Sequence, residues 1–172
     1  QFQSNTATSG DGGAIYSRGS CYIYQAQFIS NDADGNGGAV YITNQGDTTF
    51  TFTSFRHNIA DGDGGGLYFS NNSGSLDLNA TYFMNNATYG DGGGIYFGNN
   101  DGDLNIRTNY SYVDPDGNNV HVQTNIPSYF TSNLATGYGG GIYMYKSGDM
   151  NLDFVRFDAE SVSNDFSGSV GL

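Results

Sequence analysis

The chain is poor in the residues that usually cross-link a fold or give it acid–base chemistry. In 172 residues it has one cysteine, two prolines, no tryptophan and a single glutamate, Glu160. One thiol, Cys21, builds no internal disulfide framework. Basic residues are few: Arg18, Arg56, Arg107, Lys146 and Arg156 stand against 17 acids, for a net charge of −12. No basic stripe exists, so contact with nucleic acid or anionic lipid through phosphates is excluded. No apolar run approaches the roughly 18 residues of a spanning helix, and no membrane insertion is expected. There is neither an initiator Met nor a signal peptide, so a processed chain or a fragment is expected. What is abundant is 27 Gly, 20 Asn and 16 Asp, a mixture that disfavours helices. Yet 14 Tyr and 12 Phe far exceed the composition of a disordered chain. A turn-rich fold with an aromatic interior is expected.

Self-similarity organises the sequence. Phe-x-x-Asn recurs at Phe2–Asn5, Phe28–Asn31, Phe55–Asn58, Phe83–Asn86 and Phe130–Asn133. Each is followed by a glycine-rich turn and an apolar strand, such as Gly12-Gly13-Ala14-Ile15-Tyr16 and Gly92-Gly93-Gly94-Ile95-Tyr96. A further strand follows, for example Leu76-Asp77-Leu78 and Leu104-Asn105-Ile106, giving three visible strands per unit. The Phe-to-Phe intervals are 26, 27, 28, 47 and 27 residues, ending at Phe157. A unit that short cannot bury its own apolar face, so coils must stack and close a shared core. The pattern predicts an all-β fold, a single parallel β-helix (β-solenoid) over 1–172, with about five to six coils of 26–28 residues. A sandwich of hairpins would not keep like residues in register this often. The long interval predicts one lateral hairpin insertion over 109–127, around Asp114-Pro115-Asp116-Gly117, either a binding loop or a tolerated surface insertion. Residues 157–172 repeat the unit in degenerate form.

Period 2 sorts each strand into an inward and an outward face. Ile15, Val40, Leu67, Ile95 and Ile142 face inward, as do Ile23, Phe50, Leu78, Ile106 and Leu152. Cys21 falls in an inward column as a small core residue. The six Phe are expected to stack, and the Asn at each following corner to pass amide hydrogen bonds from coil to coil.

Phe-x-x-Asn paired with Gly-Gly-Ala-Ile resembles the repeat of chlamydial polymorphic outer-membrane proteins and of related β-helix surface proteins. Gly12-Gly13-Ala14-Ile15 matches that tetrapeptide and Gly37-Gly38-Ala39-Val40 nearly does, while three turns carry Gly-Gly-Gly instead. The family's carboxy-terminal membrane barrel is absent from the sequence. The resemblance implies a right-handed parallel β-helix and a secreted adhesive or structural role at a cell surface.

Three sets of residues are candidate sites. Tyr16, Tyr41, Tyr68, Tyr96 and Tyr143 form an outward column about 20 Å long at strand spacing, either a strand-stabilising ladder or a lateral contact surface for another copy, a protein or a sugar. Asp32-Ala33-Asp34-Gly35-Asn36-Gly37 reproduces the start of a calcium loop but lacks the Glu at its twelfth position. Stacking should bring Asp34, Asn36, Asp61, Asp63 and Asp91 together, as solvated turns or as a calcium site; no other cofactor is required. Sequons at Asn71, Asn79 and Asn109 fall on turn or outward positions and are candidate glycosylation sites, whereas Asn86 belongs to the corner ladder.

The scattered cations form no partner set for a lyase or hydrolase carboxylate, so the expected function is a non-enzymatic extracellular or cell-surface structural or adhesive solenoid. Phe2 and Val170 at its ends are the residues expected to join copies end to end as a filament, since an uncapped solenoid presents unpaired edges. A polysaccharide-active or polysaccharide-binding β-helix protein, and a passenger fragment of a larger surface adhesin, are the alternatives.

Overall fold

The computed structural model describes residues 1–43, 46–70, 73–113, 119–123 and 126–163. Four parallel sheets run the length of a solenoid. A phenylalanine sheet joins Phe2–Gln3, Gln27–Ile29, Ser54–Arg56, Tyr82–Met84, Ser128–Thr131 and Val155–Asp158. A tyrosine sheet joins Ile15–Ser17, Val40–Thr43, Leu67–Ser70, Ile95–Gly98 and Ile142–Tyr145. A polar-faced sheet joins Cys21–Tyr24, Thr48–Thr51, Leu76–Asn79, Leu104–Arg107 and Met150–Leu152.

The fourth sheet corrects the expected three strands per coil. The pairs Thr6–Ala7, Asp32–Ala33, Ile59–Ala60, Ala87–Thr88, Leu134–Ala135 and Ser161–Val162 form a ladder of their own just after each corner Asn. Two residues are too few to display alternation, so only cross-coil pairing such as Ile59↔Ala87 reveals them.

The predicted inward columns fill the core except in the last coil, where Leu152 is 44% exposed because no further strand of its sheet is described beyond it. Val40, Leu67 and Ile95 are fully buried, as are Phe50, Leu78 and Ile106 beneath the polar-faced sheet. Phe28, Phe55, Phe83 and Phe130 are buried and stack ring on ring, with centroids 4.5–4.9 Å apart. Cys21 is half-buried and packs against this core, its thiol donating to Ser17 Oγ at 3.2 Å.

The corners explain the small polar residues around them. The second residue after each Phe holds a positive φ: Ser4, Ser30, His57, Asn85, Ser132 and Ala159 all lie between 52° and 54°. His57 is therefore a corner residue in a left-handed conformation. At the opposite turn two glycines do different work. Gly64 has φ of +71°, whereas a Cβ on Gly65 would come within 2.4 Å of the Gly93 carbonyl oxygen, because neighbouring coils nearly touch there. The third glycine of the later turns also has a packing cause. Ala39 fits its coil, but a Cβ on Gly66 would meet the Phe83 ring at 3.0 Å.

The insertion is an antiparallel pair, Asn109–Val113 with Asn119–Gln123, leaving the solenoid one residue after Leu104–Arg107. It loops out without disturbing the stack: Phe83 still pairs with Phe130 across the 47-residue interval. Among the described residues no helix is long and apolar enough to cross a membrane.

Candidate interaction surface

A polar spine comes first, because it fixes the register of everything outside it. Asn5 Nδ2 donates to Asn31 Oδ1 at 2.8 Å, Asn31 to Asn58 at 2.9 Å, Asn58 to Asn86 at 2.8 Å and Asn86 to Asn133 at 2.8 Å. The same amides donate backward to phenylalanine carbonyls, as Asn58 does to Phe28 at 3.2 Å. All these amides point one way, so the chain of dipoles is continuous.

Sequence periodicity missed its last rung. Asn133 Nδ2 donates to both carboxylate oxygens of Glu160, at 3.0 and 3.2 Å. The signal was present, since Glu160 stands three residues after Phe157 where the other coils carry Asn. Burial pushes the Glu160 carboxyl up to about 7, with the Asp158 charge adding to it and the Asn133 bonds opposing. A carboxyl raised above its ordinary 4.5 favours the folded state when protonated. This contribution is full below pH 4.5 and is lost as pH rises through 7. The melting temperature of Glu160→Gln, compared with wild type between pH 4.5 and 8.5, should therefore fall less on the alkaline side; parallel curves would refute the assignment.

The acidic turns separate into two columns rather than one cluster. Asp34 and Asp61 occupy one, their backbone N–H groups donating to Ala7 and Ala33. Asn36, Asp63 and Asp91 occupy another with Asp11, in which each side-chain oxygen accepts the backbone N–H of the next coil. Asp11 Oδ1 takes Asn36 N at 2.7 Å, Asn36 Oδ1 takes Asp63 N at 2.8 Å, Asp63 Oδ1 takes Asp91 N at 2.8 Å, and Asp91 Oδ1 takes Tyr138 N at 2.7 Å. Burial raises the Asp63 carboxyl, with the Asp91 N–H opposing and its charge reinforcing. Among the described residues no group of three or more His, Cys, Asp or Glu is placed to hold a metal ion. The five calcium candidates therefore do not converge as expected: Asp34 and Asp61 stand in one column, while in the other one side-chain oxygen each of Asn36, Asp63 and Asp91 accepts a backbone N–H.

The tyrosine column stacks as expected. Ring centroids are 4.9 Å apart for Tyr16–Tyr41 and Tyr41–Tyr68, 4.8 Å for Tyr68–Tyr96 and 5.4 Å for Tyr96–Tyr143, the last pair tilted by 41°. Its exposure is graded rather than uniform, from 47% at Tyr16 to 8% at Tyr96. The rings lie along their own strands. Arg18 donates to the Tyr16 hydroxyl at 2.9 Å, and the Tyr96 ring covers Gly98, where an added Cβ would meet it at 2.7 Å. Burial accordingly raises the phenols of Tyr41, Tyr68, Tyr96 and Tyr143 above their ordinary range. Beside this column Tyr138 and Tyr145 are exposed, each stacked against Tyr143.

Of the other candidates, Asn79 is corrected. It points outward from Leu76–Asn79 but is only 4% exposed, its Nδ2 directed at Thr51 Oγ1, 3.4 Å away, so no glycan fits there. Asn71 and Val170 lie outside the described residues, and Asn109 is described only as the first residue of the hairpin. Phe2 is exposed and stacks on Phe28 at 4.8 Å.

With corner, turn and tyrosine strand in view, the comparison with known families has a structural meaning. The model of the Chlamydia polymorphic membrane protein repeat matches residues 1–18, 80–98 and 127–145. These three segments are similar to the polymorphic membrane protein repeat. The matched segments amount to about a third of the chain, and each runs from the phenylalanine strand through the corner Asn and glycine turn to the tyrosine strand. The coils at Phe28 and Phe55 lie between them and continue the same columns. In this molecule each matched segment therefore covers three of the four strands of a coil, with a fixed set of structural duties: stacked Phe, amide rung, close-packed glycine, outward Tyr. No curated protein and no solved structure matches the chain.

Proposed function

We propose that this β-solenoid is a non-enzymatic structural or adhesive element displayed outside the cell or on its surface, with the tyrosine sheet as its contact face. One observation carries the reading: stacked coils, three of which are similar to the polymorphic membrane protein repeat, set tyrosine outward in all five coils of that sheet. Tyrosine combines large area, few rotatable bonds and a polar tip, which suits a reversible contact with protein. The exposed Tyr16 of the column, and Tyr138 and Tyr145 stacked beside Tyr143, are the rings placed to reach a partner. Copies stacking end to end would extend the phenylalanine column, whose terminal rings Phe2 and Phe157 are its exposed ones.

Two measurements test this. A membrane-impermeant label applied to intact source cells should modify the protein, and its labelling only after lysis would sink the surface assignment. The purified chain should bind a cell surface or itself, and Tyr16→Ser with Tyr138→Ser should weaken that binding about tenfold without lowering the melting temperature. Undiminished binding by the double variant would move the contact face elsewhere.

A further inference from the structure

The outward face of the polar-faced sheet differs from every other side of the solenoid. Its residues are in register across five strands: Tyr22↔Thr49, Thr49↔Asp77, Asp77↔Asn105 and Asn105↔Asn151. At about 4.8 Å per strand this lane is about 19 Å long. One end is aromatic. Tyr22 is 62% exposed and Tyr24 47%, and Tyr24 is steadied by an edge contact to Phe52 at 5.9 Å.

The other end is a prearranged set of hydrogen-bonding groups. Asn105, only 6% exposed, accepts Arg107 Nη2 at 2.8 Å and Asn151 Nδ2 at 2.9 Å on one oxygen, and it also bonds the Asp77 carboxylate. A single buried amide thus holds a cation, an anion and an amide that face outward. At the edge of Met150–Leu152, the last strand of this sheet among the described residues, is a depression of about 360 Å³ lined by Arg107, Met150, Asn151, Leu152 and Asp153, large enough for one sugar ring. Asp153 is itself held by Thr108 Oγ1 at 3.2 Å.

The geometry points to this lane as a binding site for an uncharged polysaccharide, lying along the solenoid axis with sugar faces on Tyr22 and Tyr24 and its hydroxyls on Asp77, Arg107 and Asn151. Charge selects the class. A chain of net charge −12 repels polyanions, while the lane sets the carboxylates of Asp77 and Asp153 beside the guanidinium of Arg107 and so offers both acceptors and donors. Hydroxyls need both, and the C–H face of a pyranose covers an exposed phenol ring well. Because the groups are fixed before binding, little side-chain freedom is lost on contact. The site adds a second contact face to the proposed surface role, separate from the tyrosine sheet, and gives that face its own partner class.

Cosedimentation with insoluble cellulose, chitin, mannan and starch tests it, with polygalacturonate as the charged control. The wild-type chain should be retained by at least one uncharged polymer. Tyr22→Ala with Tyr24→Ala, and independently Arg107→Ala, should weaken that retention about tenfold, with Arg56→Ala, an exposed cation on the phenylalanine sheet, binding as wild type. Circular dichroism checks that each variant keeps its fold; these side chains are exposed, so it should. Retention by none of the uncharged polymers, preference for polygalacturonate, or equal binding by the double variant overturns the proposal. Surface labelling and the Tyr16 and Tyr138 variants report on the surface role separately, so either idea can fail alone.

Discussion

Replacing Asn58 by alanine should lower the unfolding free energy by about 3–5 kcal/mol, a large share of what a domain this size possesses. Asn58 is fully buried and makes four side-chain bonds: Nδ2 donates to Asn86 Oδ1 and the Phe28 carbonyl, while Oδ1 accepts the backbone N–H and the Nδ2 of Asn31. Alanine strands the donors of Asn31 and the Phe28 carbonyl where water does not reach, and each stranded group costs about 1–3 kcal/mol. Asn58→Asp discriminates the cause. Its carboxylate keeps the acceptor for Asn31 but sets oxygen against the Asn86 oxygen and the Phe28 carbonyl, so its penalty should shrink as pH falls and the carboxyl becomes a donor. Urea titration of the three proteins at pH 7 and pH 4 reads both effects. A loss under about 1 kcal/mol for Asn58→Ala would mean that the ladder follows the stack rather than holding it.

Gly65→Ala is the second large effect, about 3 kcal/mol by the same titration. The added methyl would lie 2.4 Å from the Gly93 carbonyl oxygen and 2.5 Å from that of Ala87, both backbone atoms of the next coil. Neither can retreat without loosening the bond from Gly65 N to the Gly92 carbonyl, 3.1 Å long. Gly19→Ala is the matched control: an added Cβ there meets nothing within 4 Å, and its effect should stay within about 0.5 kcal/mol. Equal effects at the two sites would refute close coil approach as the reason for the glycine column.

These two expectations show how differently the features could be read beforehand. The Asn ladder was visible because a solenoid turns sequence period into spatial contact, so residues about 27 apart are neighbours. Its termination at Glu160 was equally written in the spacing from Phe157 but was hidden by the change of residue type. The short fourth sheet was not visible at all, since two-residue strands carry no alternation. For the acidic turns the residue types were read correctly and their partners were not. Spacing placed Asp34, Asn36, Asp61, Asp63 and Asp91 in nearby turns, yet side-chain direction assigned Asn36, Asp63 and Asp91 to backbone N–H groups of the following coil. The outward position of Asn79 was likewise correct as a direction and wrong as a measure of access.

The sparse inventory of cysteine, proline and charge, together with a repeated Phe, Asn, Gly and Tyr, determined by itself that the chain must stack, since no single coil can bury its apolar face. It also determined which residues share a column, because strand period and repeat length are properties of order along the chain. Only the tertiary structure decided what each column does. Whether a carboxylate meets a cation or an N–H, whether a tyrosine ring stands open or lies over Gly98, and whether Asn105 gathers Asp77, Arg107 and Asn151 into one group depend on rotamers and on distances between coils. Those quantities are set by packing across the stack, which linear spacing does not encode.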